Sequence, residues 1–267
     1  MNKDYNKGID NRLQSSVAID IKPLKWLAFR SSFGSDLDFY NNTAYAYKFV
    51  SSGDNSVFFE QGGNEQRPKS SLSVARNNAT RWVWDNTLTA TKAFGKHSFT
   101  LLAGTTSEEF YFNSLTGTRS DVPEDKNQWY LATGTSASVN NDNTGDKYTR
   151  NSYIGRLNYN YNDRYLLTAT MRADGTSKFA AGNHWGYFPS VGIGWNISKE
   201  AFMSSQKIFD NLKLRASYGK VGNDQIGSNT YLNIATINAP YFFGQTPVQN
   251  YGISFTQLPD PNVKWET

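Results

Sequence analysis

The side chains that could carry chemistry are few and scattered. The chain has two histidines, His97 and His184, and no cysteine. Thiol catalysis, disulfide scaffolds and Cys-zinc centres are therefore excluded. A catalytic or metal-binding histidine needs convergent partners. His97 opens an alternating run beside a turn, and His184 stands between Asn183 and Trp185 in a loop-like stretch, so both read as exposed loop residues. Arg172 and Asp174 lie two residues apart in an alternating run and so share one face, which suits a structural ion pair better than an acid–base couple. Gly192-Ile193-Gly194 sits inside such a run and not in a strand-to-helix turn, so it is no phosphate loop. Glycine there makes room on the polar face. No catalytic, cofactor-binding or metal site follows, and the chain reads as a non-enzyme.

Two other groups are better candidates. Trp129, Tyr130, Tyr241, Phe242 and Phe243 stand in polar stretches where no strand face calls for them. Aromatic rings stack on sugars and pack on partner proteins, or they pack loop against loop. The second group is cationic. Arg30, Arg156, Arg172 and Arg215 fall on the polar parity of their runs, with Lys213 beside Arg215, against Asp20, Asp85 and Asp174. That face carries a net positive charge.

These residues are positioned by alternation. From Arg150 to Tyr161, the residues Tyr153, Gly155, Leu157, Tyr159 and Tyr161 oppose Arg150, Ser152, Arg156, Asn158 and Asn160. A strand sends alternate side chains to opposite faces, so one face is apolar and aromatic and the other polar. Tyr165 to Asp174 repeats the pattern, Tyr187 to Ile197 does so again, and Leu212 to Tyr218 follows with inverted parity. Runs of roughly 9–12 residues with aromatics near their ends have the length of a strand that crosses a bilayer in a barrel.

Four earlier strands are predicted at Leu13–Ile21, Lys25–Ser35, Arg81–Thr91 and His97–Thr106, with Pro23 breaking the first ladder. Polar stretches at Asp36–Thr80 and Tyr111–Thr149, and the chain from Gly219 to about Val263, read as loops. Ser198–Asp210 reads as a turn with a little helix. Short and long connections alternate, as in outer-membrane barrels. The hairpin at Asn162-Asp163-Arg164 needs an odd loop to keep the apolar parity, and the parity change between the third and fourth strands an even one, such as Ala93 to Lys96. The fold class expected is all-β: an antiparallel transmembrane β-barrel segment of about eight strands with long extracellular loops.

The chain has 267 residues, 15% aromatic, with low mean hydropathy. This suits a narrow apolar band with polar lumen and loops. No run approaches the roughly 18 apolar residues of a membrane helix. The net charge of +4 is scattered, which gives no footprint for nucleic acid. Residues 1–10 are polar with no signal peptide, and the end at Lys264–Thr267 opens what looks like a new strand. The chain therefore reads as a segment of a longer protein.

Arg172-Ala173-Asp174-Gly175-Thr176-Ser177-Lys178-Phe179, then Trp185-Gly186-Tyr187-Phe188-Pro189-Ser190, resemble the barrel signature of the SusC/RagA family of TonB-linked outer-membrane proteins. Leu212 to Gly219 with Gly222-Asn223, and Pro259-Asp260-Pro261-Asn262 before Lys264-Trp265-Glu266-Thr267, resemble its next blocks in order. Asn151 to Arg156 and Asp163 to Leu167 fit as well. The resemblance is specific over residues 150–267 and looser before. It implies that residues 1–267 are a partial barrel domain of a larger barrel, without its plug and remaining strands. It also implies localisation in the cell outer membrane among its lipids, import of oligosaccharides or peptides, a SusD-like lipoprotein partner, and coupling to TonB through an N-terminal region. No cofactor is implied. The polar-face arginines and Asp174 would then face either acidic groups of the plug or lumen water. The rival reading is a secreted β-sandwich, a carbohydrate-binding or adhesin module, whose apolar face would be buried in a core. An outer-membrane enzyme ranks last.

Overall fold

The computed structural model describes residues 4–48, 67–205, 208–243, 248–255 and 257–267. The alternating runs form strands β1 (Tyr5–Leu24), β2 (Leu27–Ala46), β3 (Ser71–Phe94), β4 (His97–Ser120), β5 (Asn140–Tyr161), β6 (Tyr165–Thr176), β7 (Trp185–Asn196) and β8 (Lys213–Gly219). They make one eight-stranded sheet in sequential order, β1 to β8. From β5 to β8 the register keeps the apolar parities together. Tyr159 pairs with Leu167 and Leu167 with Ile193, while Ile193 pairs with Ala216 across the parity change. Ile193 is 60% exposed, Val191 46% and Leu214 61%. A sandwich would have buried this face against a second sheet. Here it lies open.

Several boundaries differ from expectation. Strands β1 to β5 continue far beyond their apolar cores, so much of Asp36–Thr80 and Tyr111–Thr149 is strand and not loop. Residues 49–66 of the first stretch lie outside the described residues. In the extensions the apolar residues do not keep a face to themselves: in Ser71–Thr80, Leu72 and Val74 share parity with Arg76, Asn78 and Thr80, so hydrophobic alternation does not mark the strand. Pro23 lies within β1 rather than breaking it, one residue from the strand's end and beside the turn that leads to β2. The stretch after Gly219 contains a hairpin, β9 (Ala235–Phe243) and β10 (Val248–Phe255), where a loop was expected. The connection after β7 carries two single 3-10 turns, Ile197–Lys199 and Ala201–Met203.

The described chain groups into two compact units. The first comprises Met1–Ser15, Ser35–Arg81 and Phe110–Lys147. Its core is Tyr45, Leu72 and Val122, locked by the Tyr45 hydroxyl donating to the Val122 carbonyl at 2.9 Å and the Ser70 hydroxyl to the same oxygen at 2.7 Å. The second comprises Ser16–Gly34, Trp82–Glu109 and Tyr148–Thr267.

The turns of the second unit follow from their residues. Gly95 takes φ +55°, open to glycine, in a two-residue turn. Asn162 and Asp163 take φ 51° and 55°, in the left-handed region that Asn and Asp tolerate best among non-glycines. Asn160 clamps this three-residue loop, accepting from the Asp163 N–H at 2.9 Å and donating to its carboxylate at 2.6 Å. The Asn196 side chain donates to the Asp163 carbonyl. Odd and even loops thus fall where parity requires them.

Past β7, Glu200 accepts from Trp195 Nε1 at 3.0 Å, from the Tyr165 hydroxyl at 2.8 Å and from Arg164 at 3.2 Å. These donors, Trp195 first, hold its carboxyl below the usual glutamate value of 4.5. A carboxylate with a depressed pKa stabilises the fold above its unfolded pKa and loses that contribution as pH falls through the depressed value. Glu200→Gln in the full-length protein should lower the urea midpoint at neutral pH. The gap from the parent protein should close as pH falls below 4.5. A gap independent of pH would show that the carboxylate charge does not hold this connection.

Candidate functional site

The apolar face of β5–β8 is bounded by two rows of aromatics. At the turn end stand Tyr159, Tyr161, Tyr165 and Trp195. Their polar tips are engaged: His97 Nδ1 with the Tyr159 hydroxyl at 2.8 Å, and Tyr165 and Trp195 with Glu200. Tyr161 stacks on Tyr165 at 6.3 Å. At the loop end stand Tyr153, Trp185 and Tyr187, with Tyr153 stacked on Trp185 at 5.7 Å. Amphipathic rings with apolar bodies and wet tips suit the two margins of a bilayer. Tyr187 to Trp195 spans eight residue steps, about 26 Å along the strand at roughly 3.3 Å each. A strand tilt of about 40° shortens this to about 20 Å, near the apolar band of about 25 Å on outer-membrane barrels. His97 is thus a hydrogen-bond partner in an aromatic row, and among the described residues it belongs to no cluster that could hold a metal ion.

The opposite face is polar and its charges are largely settled within the sheet. Arg30 pairs with Asp20 across the first hairpin at 2.9 Å. Arg172 pairs with Asp174 at 2.9 Å, the structural pair their spacing predicts. Arg156 donates to the Thr170 hydroxyl at 3.2 Å. Asp85 accepts from the Thr106 hydroxyl at 2.6 Å. Arg215 and Lys213, on β8, have no ion-pair partner among the described residues.

At the loop end the ordered sequence blocks meet. Arg150, at the start of the apolar part of β5, grips Asp224 with two parallel bonds, Nε at 2.8 Å and Nη2 at 3.0 Å. Glu108 lies 3.4 Å from Nη1. Arg150 and Lys178 both lie over the Tyr148 ring, at 4.8 and 4.6 Å. Asn223 bridges Glu266, N–H to carbonyl in both directions. Trp265 inserts between Phe179 and Phe188, with centroids at 5.5 and 5.3 Å, and its Nε1 donates to the His184 carbonyl at 2.9 Å. Phe179 and Phe188 are buried. His184 therefore contributes a backbone acceptor here. Sequence reasoning missed Glu108, Asp224 and the packing of Phe188. Phe188 left a signal: it is an aromatic on the polar parity of β7, a break in alternation.

The aromatic candidates separate. Trp129, in the first unit, stacks on Tyr45 at 4.4 Å, and its Nε1 is buried without a partner among the described residues. It packs loop on core. Tyr130 beside it is 66% exposed. Tyr241 and Phe242 lie on β9 in the second unit, both exposed; Phe243 closes that strand, and its side chain lies outside the described residues.

The Arg150–Asp224 pair has side chains only 27% and 13% exposed, so removing one partner strands a charge. Arg150→Met in the full-length protein should cost roughly 2–3 kcal/mol, somewhat under the range for fully buried pairs. Arg30→Met, in a pair exposed by more than half, should cost about 1 kcal/mol or less. Urea unfolding of both variants is the measurement, and equal costs would contradict the burial argument.

Residues 3–267 match the family model described as TonB dependent receptor-like, beta-barrel. A TonB-dependent receptor of Formosa agariphila is 31% identical over 98% of this chain and 25% of its own length. The TonB-dependent receptor SusC of Bacteroides thetaiotaomicron is 30% identical over 91% of this chain and 25% of its own. The structure of the RagAB peptide transporter superposes with a TM-score of 0.84 at 20% identity, over 98% of this chain and 27% of that one, a likeness of fold. The chain thus spans about a quarter of the length of the curated relatives it matches. With the matching model, the registered open sheet and the ordered blocks, the chain belongs to the TonB dependent receptor-like β-barrel family and is of the SusC/RagA type.

Proposed function

We propose that the protein is an outer-membrane importer and that this chain supplies consecutive strands of its barrel wall. The observation that carries the reading is the exposed apolar face of β5–β8, held in register between two aromatic rows. That face meets lipid, and the polar face lines the lumen. The turns at Lys25–Trp26, Gly95–Lys96 and Asn162–Arg164 are periplasmic, and the connections after β2, β4 and β6 are extracellular, as the alternation of short and long connections favours. Oligosaccharides or peptides are the cargo class, a SusD-like lipoprotein is the partner, and TonB drives uptake through a part of the protein outside this chain. Tyr130, Tyr241 and Phe242 are the exposed aromatics available to cargo or lipoprotein.

Charge on the lipid face tests the reading. Val191→Arg, midway between the aromatic rows, should cost roughly 2–4 kcal/mol in the full-length protein, and Ile193→Arg somewhat less near the margin. Asn158→Arg, on the polar face, should be far milder. Folding into lipid vesicles, followed by shifted gel mobility, reads all three; equal costs at Val191 and Asn158 would refute the face assignment. Orientation is read separately. An epitope inserted in residues 123–128 should bind antibody on intact cells, and one inserted at Gly95–Lys96 should not. The reverse pattern would invert the topology.

A further inference from the structure

Two polar side chains interrupt the apolar face of the sheet's interior strands. β3 and β4 lie between β2 and β5, joined by the two-residue turn at Gly95–Lys96, which sets Phe94 opposite His97. Counting back along this hairpin sets Asp85 opposite Thr106, and the two are hydrogen-bonded on the polar face at 2.6 Å. The next residues, Asn86 and Thr105, therefore oppose each other on the apolar face. Asn86 stands there between Trp84 and Leu88, and Thr105 follows Leu101 and Ala103. Trp84, Leu88 and Leu101 are all exposed, as a lipid-facing row requires.

Asn86 and Thr105 line a recess of about 390 Å³ with Phe29, Leu88, Ala103 and Tyr153. Tyr153 belongs to the loop-end aromatic row, so the recess lies at that margin of the apolar band. Its neighbours in the row, Ala173 on β6 and Tyr187 on β7, bring no carboxamide or aliphatic hydroxyl to that level. Open space continues toward the middle of the band. Gly155 is the next residue after Tyr153 on the same face, and a Cβ there would meet no atom within 4 Å. Trp84, on the loop side of Asn86, has its Nε1 engaged by the Ser31 hydroxyl at 3.0 Å. The Asn86 carboxamide and the Thr105 hydroxyl have no hydrogen-bond partner among the described residues.

An unpaired polar group at the edge of hydrocarbon is costly, and leucine or valine would fill these positions without that cost. The pair therefore suits a ligand that brings its own polar group to this depth. A carboxamide offers donors and an acceptor together, and a hydroxyl offers one of each. The ester linkages of a diacyl phospholipid supply acceptors only and leave the carboxamide oxygen unmatched. An amide linkage supplies an N–H and a C=O side by side, the complement of a carboxamide. We infer that the recess binds an outer-leaflet lipid through an amide-linked acyl chain. Asn86 and Thr105 hold the linkage, and the chain runs over Ala103 and Gly155 into the apolar band. The inference rests on the proposed lipid face and its orientation, and goes beyond them in selecting one lipid chemistry.

The test uses the full-length protein in nanodiscs of diacyl phosphatidylethanolamine. Two photoactivatable probes are compared at equal dose: ceramide phosphoethanolamine and diacyl phosphatidylethanolamine, with the same diazirine-bearing acyl chain. They share a headgroup and differ in an amide against an ester linkage. Labelled peptides are mapped by mass spectrometry. The amide probe should label β3 and β4 around Asn86 and Thr105 about tenfold more than the ester probe, the scale of one hydrogen bond. Around Val191 the two probes should label equally. Asn86→Leu with Thr105→Val should bring the probes to parity at the recess, and Ala103→Phe should fill it and lower both. All three substitutions are apolar on the lipid face, and shifted gel mobility checks folding. Equal labelling of the recess by both probes in the parent protein, or a preference that survives the double substitution, would overturn the site. Asn86 and Thr105 would then be ordinary polar residues of a hydrated margin. Absence of label around Val191 from either probe would instead overturn the lipid-face reading on which the site rests.

Discussion

The strands β5–β8 have one apolar and one polar face, and among the described residues no second sheet covers the apolar one, so the two faces need different surroundings. The buried hydrophobic side chains among the described residues are Tyr45, Leu72, Val122, Phe179 and Phe188. None belongs to the apolar face of β5–β8. Burying an aliphatic or aromatic side chain is worth about 1.5–3 kcal/mol, so leaving this face in water would forfeit tens of kcal/mol over the whole sheet. In lipid the same face is satisfied, and the backbone hydrogen bonds of the ladder become the dominant constraint, since nothing in the hydrocarbon can replace them. That is why register matters more here than core packing. A slip of one residue between β6 and β7 would put Thr168 and Thr170 beside Ile193 and Val191, presenting hydroxyls to the apolar medium.

The polar face obeys a second rule, that charges near a low-dielectric wall are settled locally. The sheet does this in three ways: across a hairpin for Asp20 and Arg30, along one strand for Arg172 and Asp174, and through a chain excursion for Arg150, Asp224 and Glu108. The third is the least exposed and ties residues distant in sequence. Counting arginines by parity makes the wall look uniformly positive; pairing neutralises Arg30, Arg150 and Arg172 and leaves Arg156 on β5 with a hydroxyl partner alone.

Alternation made β5 to β8 legible because a two-residue period between unlike media is a strong signal. It failed at the extensions of β1 to β5, where apolar residues such as Leu72 and Val74 share a face with polar ones, and at β9–β10. There Tyr241, Phe242, Tyr251 and Ile253 show no clean division of faces, and the register shifts at Gly252–Ile253. The Arg172–Asp174 pair was readable because its partners are two residues apart. Arg150–Asp224 was not, because nothing local to either residue specifies the other. The cluster of Trp265 with Phe179 and Phe188 was half-readable. Its residues stand in the blocks that carry the family resemblance, but only the fold brings them within stacking distance.

Those blocks also say what the resemblance is about. Gly186 and Gly222 exist because Phe188 fills their space: added Cβ atoms would lie 2.5 and 2.1 Å from its Cζ. Trp265 would crowd the same Gly186 Cβ at 2.8 Å. The Trp-Gly-Tyr-Phe block, the Gly-Asn pair and the Lys-Trp-Glu block are therefore one packing solution written in three places, closed by the Asn223–Glu266 bridge. Such a solution fixes how the chain folds back over the loop end of β6 and β7. Likeness in these blocks reports shared architecture, and cargo preference must be sought in residues outside them, such as the exposed aromatics Tyr130, Tyr241 and Phe242.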